Sequence, residues 1–278
     1  MLRTCLVLAS SLLATAVAWA QQVAPSQLPA VSAPAAETES QKLARTKLMD
    51  MAKFLSRQEK FSATMRVGYE VLQASGQKIE FGEIRDLAVQ RPNRVRVSEQ
   101  QSDGWGNVMM FDGKTITLLD GDTGTYAQVP QPGDIDHTVT YYVRDLKMRL
   151  PLAPLLMVHF PEEMQGRIEN VDYVERTNIL GEPAHHIAAR TANVDFQVWI
   201  ADGKRPLPLR IVMNYRKEPG HPQFWAQFSK WNLAPQFTKT TFEFKPPKGA
   251  EQILFAVQVP PLAGVEQAGG TQKQGDKQ

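Results

Sequence analysis

The sequence contains a single cysteine, Cys5, among its 278 residues. That cysteine lies in a segment that we expect to be removed on export. The mature chain then has no disulfide, no thiolate metal ligand and no cysteine nucleophile. An excess of one charge is also lacking, since 31 Lys and Arg residues face 29 Asp and Glu residues, for a net charge of +2 at pH 7. This balance argues against binding to nucleic acid, which needs a concentrated basic surface.

Long hydrophobic runs are missing as well, because spanning a membrane takes roughly 20 apolar residues. The apolar run at residues 6–17 is shorter; it follows Arg3 and precedes a small-x-small site that ends at Ala20. This pattern predicts a cleavable signal peptide over residues 1–20, with cleavage after Ala20. Cys5 precedes the run, whereas the cysteine of a bacterial lipoprotein follows it. We therefore expect export to the periplasm, with no transmembrane span and no lipid anchor.

Differences in composition divide the rest of the chain into a leader, a folded domain and a tail. Residues 21–40 are dominated by Ala, Pro, Ser and Gln, and this composition predicts a flexible leader. Residues 262–278 are rich in Gly, Gln and Lys, and we expect them to be a disordered tail. The folded domain is then predicted to span residues 41–261. A hydrophobic fraction of 42% is enough to give it a core.

The start of the domain changes from helical to strand periodicity. Residues 40–58 have apolar side chains at i, i+3, i+4 and i+7, which predicts an amphipathic helix with Ser40 as its N-cap. These side chains are Leu48, Met51, Ala52 and Leu55. Strict alternation over residues 61–71 then predicts a strand. A second strand is predicted over residues 79–90, with four apolar side chains in one phase. They are Ile79, Phe81, Leu87 and Val89.

Later segments are dominated by strand signals. Four Asp-Gly pairs separate short apolar runs, and this dipeptide is favoured where a hairpin needs positive φ. The pairs begin at Asp103, Asp112, Asp120 and Asp202. Helical spacing returns over residues 139–150, and residues 155–160 are left for a further helical turn. Further strands are predicted at 95–98, 108–111, 115–119, 125–129, 168–176, 182–190, 195–201, 208–215, 224–231 and 241–244. Without βαβ alternation, the fold class is mainly β (α+β), with one antiparallel sheet.

Motifs for catalysis and metal binding are absent from the sequence, which has no HExxH, no Gly-x-Ser-x-Gly and no phosphate-binding glycine loop. His185 and His186 are adjacent, and neighbours in a strand point to opposite faces, so sharing one metal ion would need a bulge. We therefore assign no catalytic residue, no metal ligand and no cofactor.

The strands carry many large apolar side chains. The ordinary interpretation of each one is a packed core. However, a single sheet with few helices has a large apolar face to cover. If the helices cover this face incompletely, an apolar cavity remains, and flexible methionine side chains suit the lining of such a cavity. The candidate lining residues are Phe61, Met65, Val67 and Tyr69 on the first strand, Val139, Tyr142, Val143 and Leu146 on the lid helix, and Leu209, Ile211, Met213, Phe224 and Phe228 on late strands.

The order of these elements resembles a known superfamily. It is similar to the periplasmic lipoprotein carriers and receptors of the localisation-factor A and B type (LolA/LolB-like). This resemblance rests on Phe61-Ser62-Ala63, on Phe111-Asp112-Gly113-Lys114, and on residues 242–250 with their Pro-Pro-x-Gly. A closer resemblance, at residues 180–186 and 199–203, is to an uncharacterised family of predicted periplasmic proteins, domain of unknown function 2092.

The resemblance implies an open half-barrel whose concave face is covered by helices and accommodates acyl chains. We therefore expect a non-enzymatic, monomeric periplasmic carrier for a lipid, a lipoprotein acyl chain or another hydrophobic ligand, with an envelope protein as a transient partner. Two alternatives stay open. One is an envelope scaffold or protein-interaction module with a fully packed core. The other is a hydrolase, which would rest on His185, His186 and scattered carboxylates.

Overall fold

The computed structural model describes residues 36–255, so the predicted signal peptide, most of the leader and the predicted tail lie outside the described residues. Within this range the chain forms three α-helices, two short 3₁₀ helices and twelve strands. The helices are α1 (Glu39–Ser56), α2 (Ile135–Arg144) and α3 (Phe160–Arg167), and the 3₁₀ helices span Ala153–Leu156 and Lys239–Phe242. The strands are β1 (Lys60–Leu72), β2 (Lys78–Gln90), β3 (Arg94–Gln101), β4 (Gly106–Phe111), β5 (Thr115–Asp120), β6 (Thr125–Pro130), β7 (Asn170–Ile179), β8 (Glu182–Arg190), β9 (Val194–Ala201), β10 (Pro208–Tyr215), β11 (Gln223–Asn232) and β12 (Glu251–Ile253).

All twelve strands belong to one sheet, in the order β12-β6-β5-β4-β3-β2-β1-β11-β10-β9-β8-β7. In the described part of the chain β12 and β7 are the two edges, so the sheet is open. The predicted fold class, a mainly β protein with one open sheet and a few helices, is confirmed. The expectation of a fully antiparallel sheet is wrong at one edge, because β12 runs parallel to β6. The chain crosses from β6 to the opposite edge strand, β7, through α2, the first 3₁₀ helix and α3.

Helix α1 begins at a capping box. The backbone N–H of Gln41 donates to Thr38 Oγ1 at 3.2 Å, and the N–H of Thr38 donates to Gln41 Oε1 at 3.0 Å. Thr38 is therefore the N-cap, and the prediction of Ser40 is wrong; the Ser40 hydroxyl donates instead to the carbonyl of Tyr173 at 3.5 Å. A Thr-x-x-Gln pattern satisfies two free N–H groups at once, which a serine inside the first turn does not. The predicted buried stripe, with Leu48 at its centre, is confirmed.

The alternating strands β1 and β2 form a long hairpin. Phe61, Met65 and Val67 are buried on one side of the sheet, which we call the inner face because the helices pack there. The single phase predicted for β2 is confirmed, since Tyr69 pairs with Phe81 and Phe61 with Val89. Ile79 and Phe81 are nevertheless exposed. In the described pairings, β11 accompanies β1 only to Tyr69 and β3 accompanies β2 only to Glu83, so the end of the hairpin extends past both neighbours.

Three predicted segments differ from the structure. The helix predicted over 139–150 spans Ile135–Arg144 instead, so residues 145–150 are not helical. The strand predicted at 241–244 is wrong, because a capping box at Thr238, with Thr241 as its third residue, starts the 3₁₀ helix Lys239–Phe242. The edge strand β12 comes later, where Glu251 N–H donates to the carbonyl of Gly124 at 3.0 Å. The helical turn predicted at 155–160 is divided, since the 3₁₀ helix Ala153–Leu156 contains its first two residues and α3 begins at its last, Phe160. Pro154 and Pro161 each occupy an early helical position, where proline is tolerated.

Three of the four Asp-Gly turns behave as predicted, with positive φ at Gly104, Gly113 and Gly203, whereas between β5 and β6 the positive φ falls on Gly124 and not on Gly121. Between β4 and β5, Gly113 has φ 97°, and a side chain there would collide with Asn93. Asp112 Oδ1 accepts the backbone N–H groups of Lys114 and Thr115 at 2.9 and 2.8 Å. The aspartate thus closes the turn while the glycine provides the left-handed backbone.

One hydrophobic core joins the inner face of the sheet to the helices. It contains the buried side of α1, with Leu48 and Leu55, together with Phe111 of β4, Val139 of α2 and Phe160 of α3. Helix α1 contacts β7, β8 and β9, whereas α2 packs beside the first 3₁₀ helix. The helices therefore cover different parts of the inner face.

Gly68 of β1 lies on the side of the sheet opposite the inner face, which we call the outer face, and a substitution there tests the packing of that side. A methyl group on Gly68 would overlap the indole of Trp225, which pairs with it across β1 and β11. We expect Gly68→Ala to lower the free energy of unfolding by about 1–3 kcal/mol, the range for overpacking. Gly82 is its partner on β2, and there the nearest atom to an added methyl is Val67 O at 3.7 Å.

Gly82→Ala is the matched control, with an expected change within about 0.5 kcal/mol. Urea unfolding of both variants measures the difference. Equal stabilities of the two variants would contradict the overlap at Trp225.

Candidate functional site

A cleft of about 1280 Å³ opens between the inner face and the chain that connects β6 to β7. We call this connection the covering segment and the cleft the inner cleft. Its walls come from β1, β2, β3, β10 and β11 on one side, and from α2 and residues 147–154 on the other. The chain between β10 and β11 closes one end, with Glu218, Pro219 and Pro222.

The predicted lining residues fall into two groups. Those that line the inner cleft are Tyr69, Val139, Val143, Met213 and Phe224, and of these Val139 and Phe224 also belong to the buried core. Those packed in the core are Phe61, Met65, Val67, Tyr142, Leu146, Ile211 and Phe228. Among the described residues, Leu209 is buried beside the bulge of β10 but lies outside this core cluster. Contact of any of these side chains with a ligand stays a prediction.

The floor of the inner cleft carries three ionisable side chains that the sequence analysis did not assign to the site. Glu83 and Arg85 lie on β2, and Glu99 lies opposite Arg85 on β3. Arg85 forms an ion pair with Glu83, and its Nε lies 3.1 Å from Glu99 Oε1. Burial raises the pKa of Glu99, and the Arg85 guanidinium opposes that rise. Burial also raises the pKa of Tyr69 beside this floor, with Glu83 acting in the same direction.

Arg91, which follows β2, forms hydrogen bonds that connect the covering segment to the sheet. Its Nη1 donates to the carbonyl of Gln58 at 2.8 Å, and its Nη2 donates to the carbonyl of Leu156 at 2.9 Å. The guanidinium also lies 5.4 Å from the centre of the Phe61 ring. Burial lowers the pKa of Arg91 to about 10. One side chain thus joins the end of β2, the end of α1 and the first 3₁₀ helix.

Asp136 connects α2 to the start of α3. Its carboxylate accepts the backbone N–H groups of Val158 and His159 at 2.8 and 2.9 Å, and it contacts His159 Nδ1 at 2.7 Å. The hydrogen bond to this carboxylate raises the pKa of His159. The side chain of Asp136 is largely buried, whereas the imidazole is exposed. This connection positions the far end of the covering segment.

The His159 connection predicts a pH dependence of stability. A histidine whose pKa is raised on folding stabilises the fold fully below its unfolded pKa of about 6.5, and this contribution is lost as pH rises through the folded pKa. We therefore expect the melting temperature of the wild type to fall more than that of His159→Asn between about pH 6 and pH 8. Differential scanning fluorimetry at stepped pH measures this.

The matched control is His221→Asn, because His221 is exposed and its φ of 46° is one that asparagine tolerates. Its pH profile should follow that of the wild type. A flattened profile in His221→Asn, with none in His159→Asn, would refute the assignment to the Asp136 connection.

Residues 147–152 form a part of the covering segment that lines the inner cleft and belongs to no helix or strand. Lys147 and Leu152, at its two ends, have positive φ angles of 57° and 65°. Between them, Arg149 Nη2 donates to both carboxylate oxygens of Glu218 at 3.1 Å. This exposed ion pair joins the cover to the chain between β10 and β11. Its strength depends on solvent screening, so we assign it a positioning role.

The adjacent histidines lie away from the inner cleft. His185 is buried, with its Nδ1 2.8 Å from Tyr173 Oη and its Nε2 3.2 Å from Asp202 Oδ1. His186 lies on the other face, where it stacks on Trp199 with ring centres 4.1 Å apart. Among residues 36–255, no group of three His, Cys, Asp or Glu side chains is placed to hold a metal ion. Burial raises the pKa of Tyr173, which is opposite to the activation of a nucleophile.

The charged floor had a signal in the sequence. Glu83 and Arg85 occupy the same phase of β2 as Phe81 and Leu87, so they interrupt an otherwise apolar face. Ionised side chains in a core phase need a partner or water, and a partner on the next strand could have been sought. Residues 147–154 had no such signal. Residues 147–150 continue the helical spacing predicted over 139–150, and Pro151 and Pro154 interrupt any pattern after them.

Comparisons with known proteins add the following. A family model described as predicted periplasmic protein (DUF2092) matches residues 44–256. A search of curated proteins found no match. Within the described residues, no helix has the length and apolar character required to cross a membrane.

Several solved structures are similar at low identity. The Mycobacterium tuberculosis lipoprotein LppX is 14% identical, with 71% of this chain and 99% of that chain covered and a TM-score of 0.43. A LolA superfamily protein from Nitrosomonas europaea is 11% identical, with 72% and 97% covered and a TM-score of 0.38. The MucA/MucB complex of Pseudomonas aeruginosa gives 18% identity, with 73% and 61% covered and a TM-score of 0.39. Similarities this low assign no function.

Proposed function

Because the chain belongs to the family described as predicted periplasmic protein (DUF2092), we propose that it is a periplasmic, non-enzymatic binding or carrier protein for a lipid or another hydrophobic ligand. The ligand lies in the inner cleft, between the sheet and the covering segment. Residues 1–20 serve as the export signal, and the protein works as a monomer that meets an envelope partner only transiently.

The observation that carries this proposal is the inner cleft itself. Its volume of about 1280 Å³ exceeds that of ordinary small-molecule pockets, which hold roughly 300–1,000 Å³. Apolar side chains from both sides line it, among them Val143 and Met148 above and Met213 and Phe224 below. A long acyl chain fits such a space better than a compact polar metabolite does.

Burial provides the binding free energy. Each Å² of apolar surface removed from water stabilises the complex by ~25 cal/mol. Association and ordering of the chain oppose this gain, so only part of it appears as affinity. Residues 147–152 line the cleft outside any helix or strand, so we expect release of the ligand to proceed by movement of these residues.

Val143 offers a direct test, because it lines the inner cleft and is 44% exposed, so a larger side chain is tolerated there. We expect Val143→Arg to weaken uptake of a neutral fluorescent acyl ester at least about tenfold, since it adds charge and bulk to an apolar wall. Fluorescence titration of delipidated protein measures the affinity. Native mass spectrometry of the protein before delipidation shows whether lipid co-purifies.

The matched control is Val174→Arg, at a residue of β7 that is 50% exposed and away from the cleft. It should bind the ester as the wild type does. If the wild type neither co-purifies with lipid nor takes up the ester, the carrier proposal is wrong.

A second candidate function is protein binding through the end of the β1–β2 hairpin. Three apolar side chains are exposed there on the inner face, and contiguous apolar patches mark interaction sites. They are Val71, its pairing partner Ile79, and Phe81 two residues further along β2. A photo-crosslinking residue at position 79 should then give a defined adduct in the cell envelope, whereas one at position 174 should not. Identical adduct patterns from both positions would contradict this function.

A further inference from the structure

The inner cleft has a charged floor whose balance is negative. Glu83, Arg85 and Glu99 are three neighbouring side chains with exposed fractions of 4%, 13% and 24%. Both carboxylates share the single guanidinium of Arg85. With all three groups ionised, the floor carries one uncompensated negative charge.

The other cations that line the cleft do not reverse this balance. Arg149 is paired with Glu218, Arg167 with Glu163, and Arg144 with the adjacent Asp145. Lys147 also lines the cleft and is exposed, as these three arginines are, so solvent screens the charge that the four cations present to a ligand. The buried floor is screened much less, and its charge therefore acts more strongly on a bound group.

This floor discriminates between the polar ends of amphiphiles. A carboxylate placed beside Glu83 and Glu99 would add a third negative charge to a site with one guanidinium. An ammonium group there would bring the site to neutrality and could donate hydrogen bonds to both carboxylates. Like-charge contacts at a partly desolvated site weaken binding strongly, whereas the complementary charge fixes orientation.

We infer that the natural ligand of the inner cleft is a cationic amphiphile, an alkyl or acyl chain with an amino head, and that Glu83 and Glu99 receive the head. This inference rests on the proposed function, because it assigns the polar end of the same ligand. Glu83 and Glu99 are specificity-determining residues, whereas Arg85 is a positioning residue that holds the two carboxylates side by side.

The test compares two probes of equal chain length, a fluorescent fatty amine and the corresponding fatty acid, each below the concentration at which it forms micelles. We expect the delipidated wild type to bind the amine at least about tenfold more tightly than the acid near pH 7. Glu99→Gln should reduce this preference severalfold. Glu83→Gln should act in the same direction.

Glu175→Gln is the matched control, since Glu175 lies on β7 away from the cleft and is 58% exposed. It should keep the full preference for the amine. Equal or reversed affinities of the wild type for amine and acid would overturn the inference and leave the proposed function intact. Failure to bind the amine, the acid and the ester alike would instead overturn the proposed function. The comparison of probes on the wild type needs no variant, so a misfolded variant does not weaken the test.

Discussion

Replacement of Arg85 with methionine should lower the free energy of unfolding by about 3–5 kcal/mol, the range for removing one partner of a buried ion pair. Glu83 and Glu99 would then face each other without the guanidinium that they share. Glu83 is the more deeply buried of the two, with a side chain 4% exposed. Methionine keeps much of the volume of arginine, so the loss reports on charge rather than on a cavity.

The same variant should recover at lower pH. Burial raises the pKa of Glu99 and Arg85 opposes that rise, so without Arg85 the ionised form of Glu99 should destabilise the fold at neutral pH. Protonation as pH falls through this raised pKa removes the destabilisation. Urea unfolding at two pH values measures the recovery, and Glu83→Gln added to Arg85→Met should produce a similar recovery at neutral pH.

Arg66→Met is the matched control, because Arg66 is an exposed residue of the neighbouring strand β1. Its stability should remain within about 0.5 kcal/mol of the wild type. If Arg85→Met were equally harmless, the floor of the inner cleft would not hold two ionised carboxylates.

The second large effect is expected at Phe61. Phe61→Ala should lower the free energy of unfolding by about 3–5 kcal/mol, the usual effect of truncating a buried phenylalanine. The ring is 1% exposed and lies between the Arg91 guanidinium and the ring of Trp231, whose centre is 5.9 Å away. Truncation therefore opens a cavity and also removes the apolar support of a buried cation.

Phe81→Ala is the control for Phe61→Ala, since both residues lie on the inner face of the same hairpin. Phe81 is 43% exposed, and its main neighbour is the stacked ring of Tyr69 at 6.0 Å. We expect a loss under about 1 kcal/mol. Denaturant unfolding compares the two variants, and losses of equal size would contradict the burial described for Phe61.

The first half of the sheet was predictable because its signals are local. Strict alternation around Phe61 defines β1, and Asp-Gly pairs such as Asp112-Gly113 define the tight turns between β3 and β5. The last strand was not predictable in this way. Residues 241–244 have strand-forming residue types, but the Thr238 cap forms a 3₁₀ helix there. The strand β12 is stabilised by long-range pairing with β6, which no local pattern reveals.

The site was predictable only where periodicity placed it. Phase assigned Tyr69 and Met213 to the inner face, and both line the inner cleft. Phase alone could not separate them from Met65 and Ile211, which lie on the same face in the core, because cover by helices is a tertiary property. Arg85 was missed for another reason. Its partner Glu99 lies on the next strand, so the charge balance of the floor appears only once the register of β2 and β3 is known.

The chain from β6 to β7 crosses the inner face from one side of the sheet to the other. Since β6 lies beside one edge and β7 is the other edge, the covering segment is anchored on opposite sides of the inner face. Arg91 and Asp136 hold parts of this segment in place, whereas residues 147–152 belong to no helix or strand. We therefore expect a wider ligand in the inner cleft to be accommodated by displacement of residues 147–152 and not by spreading of the strands.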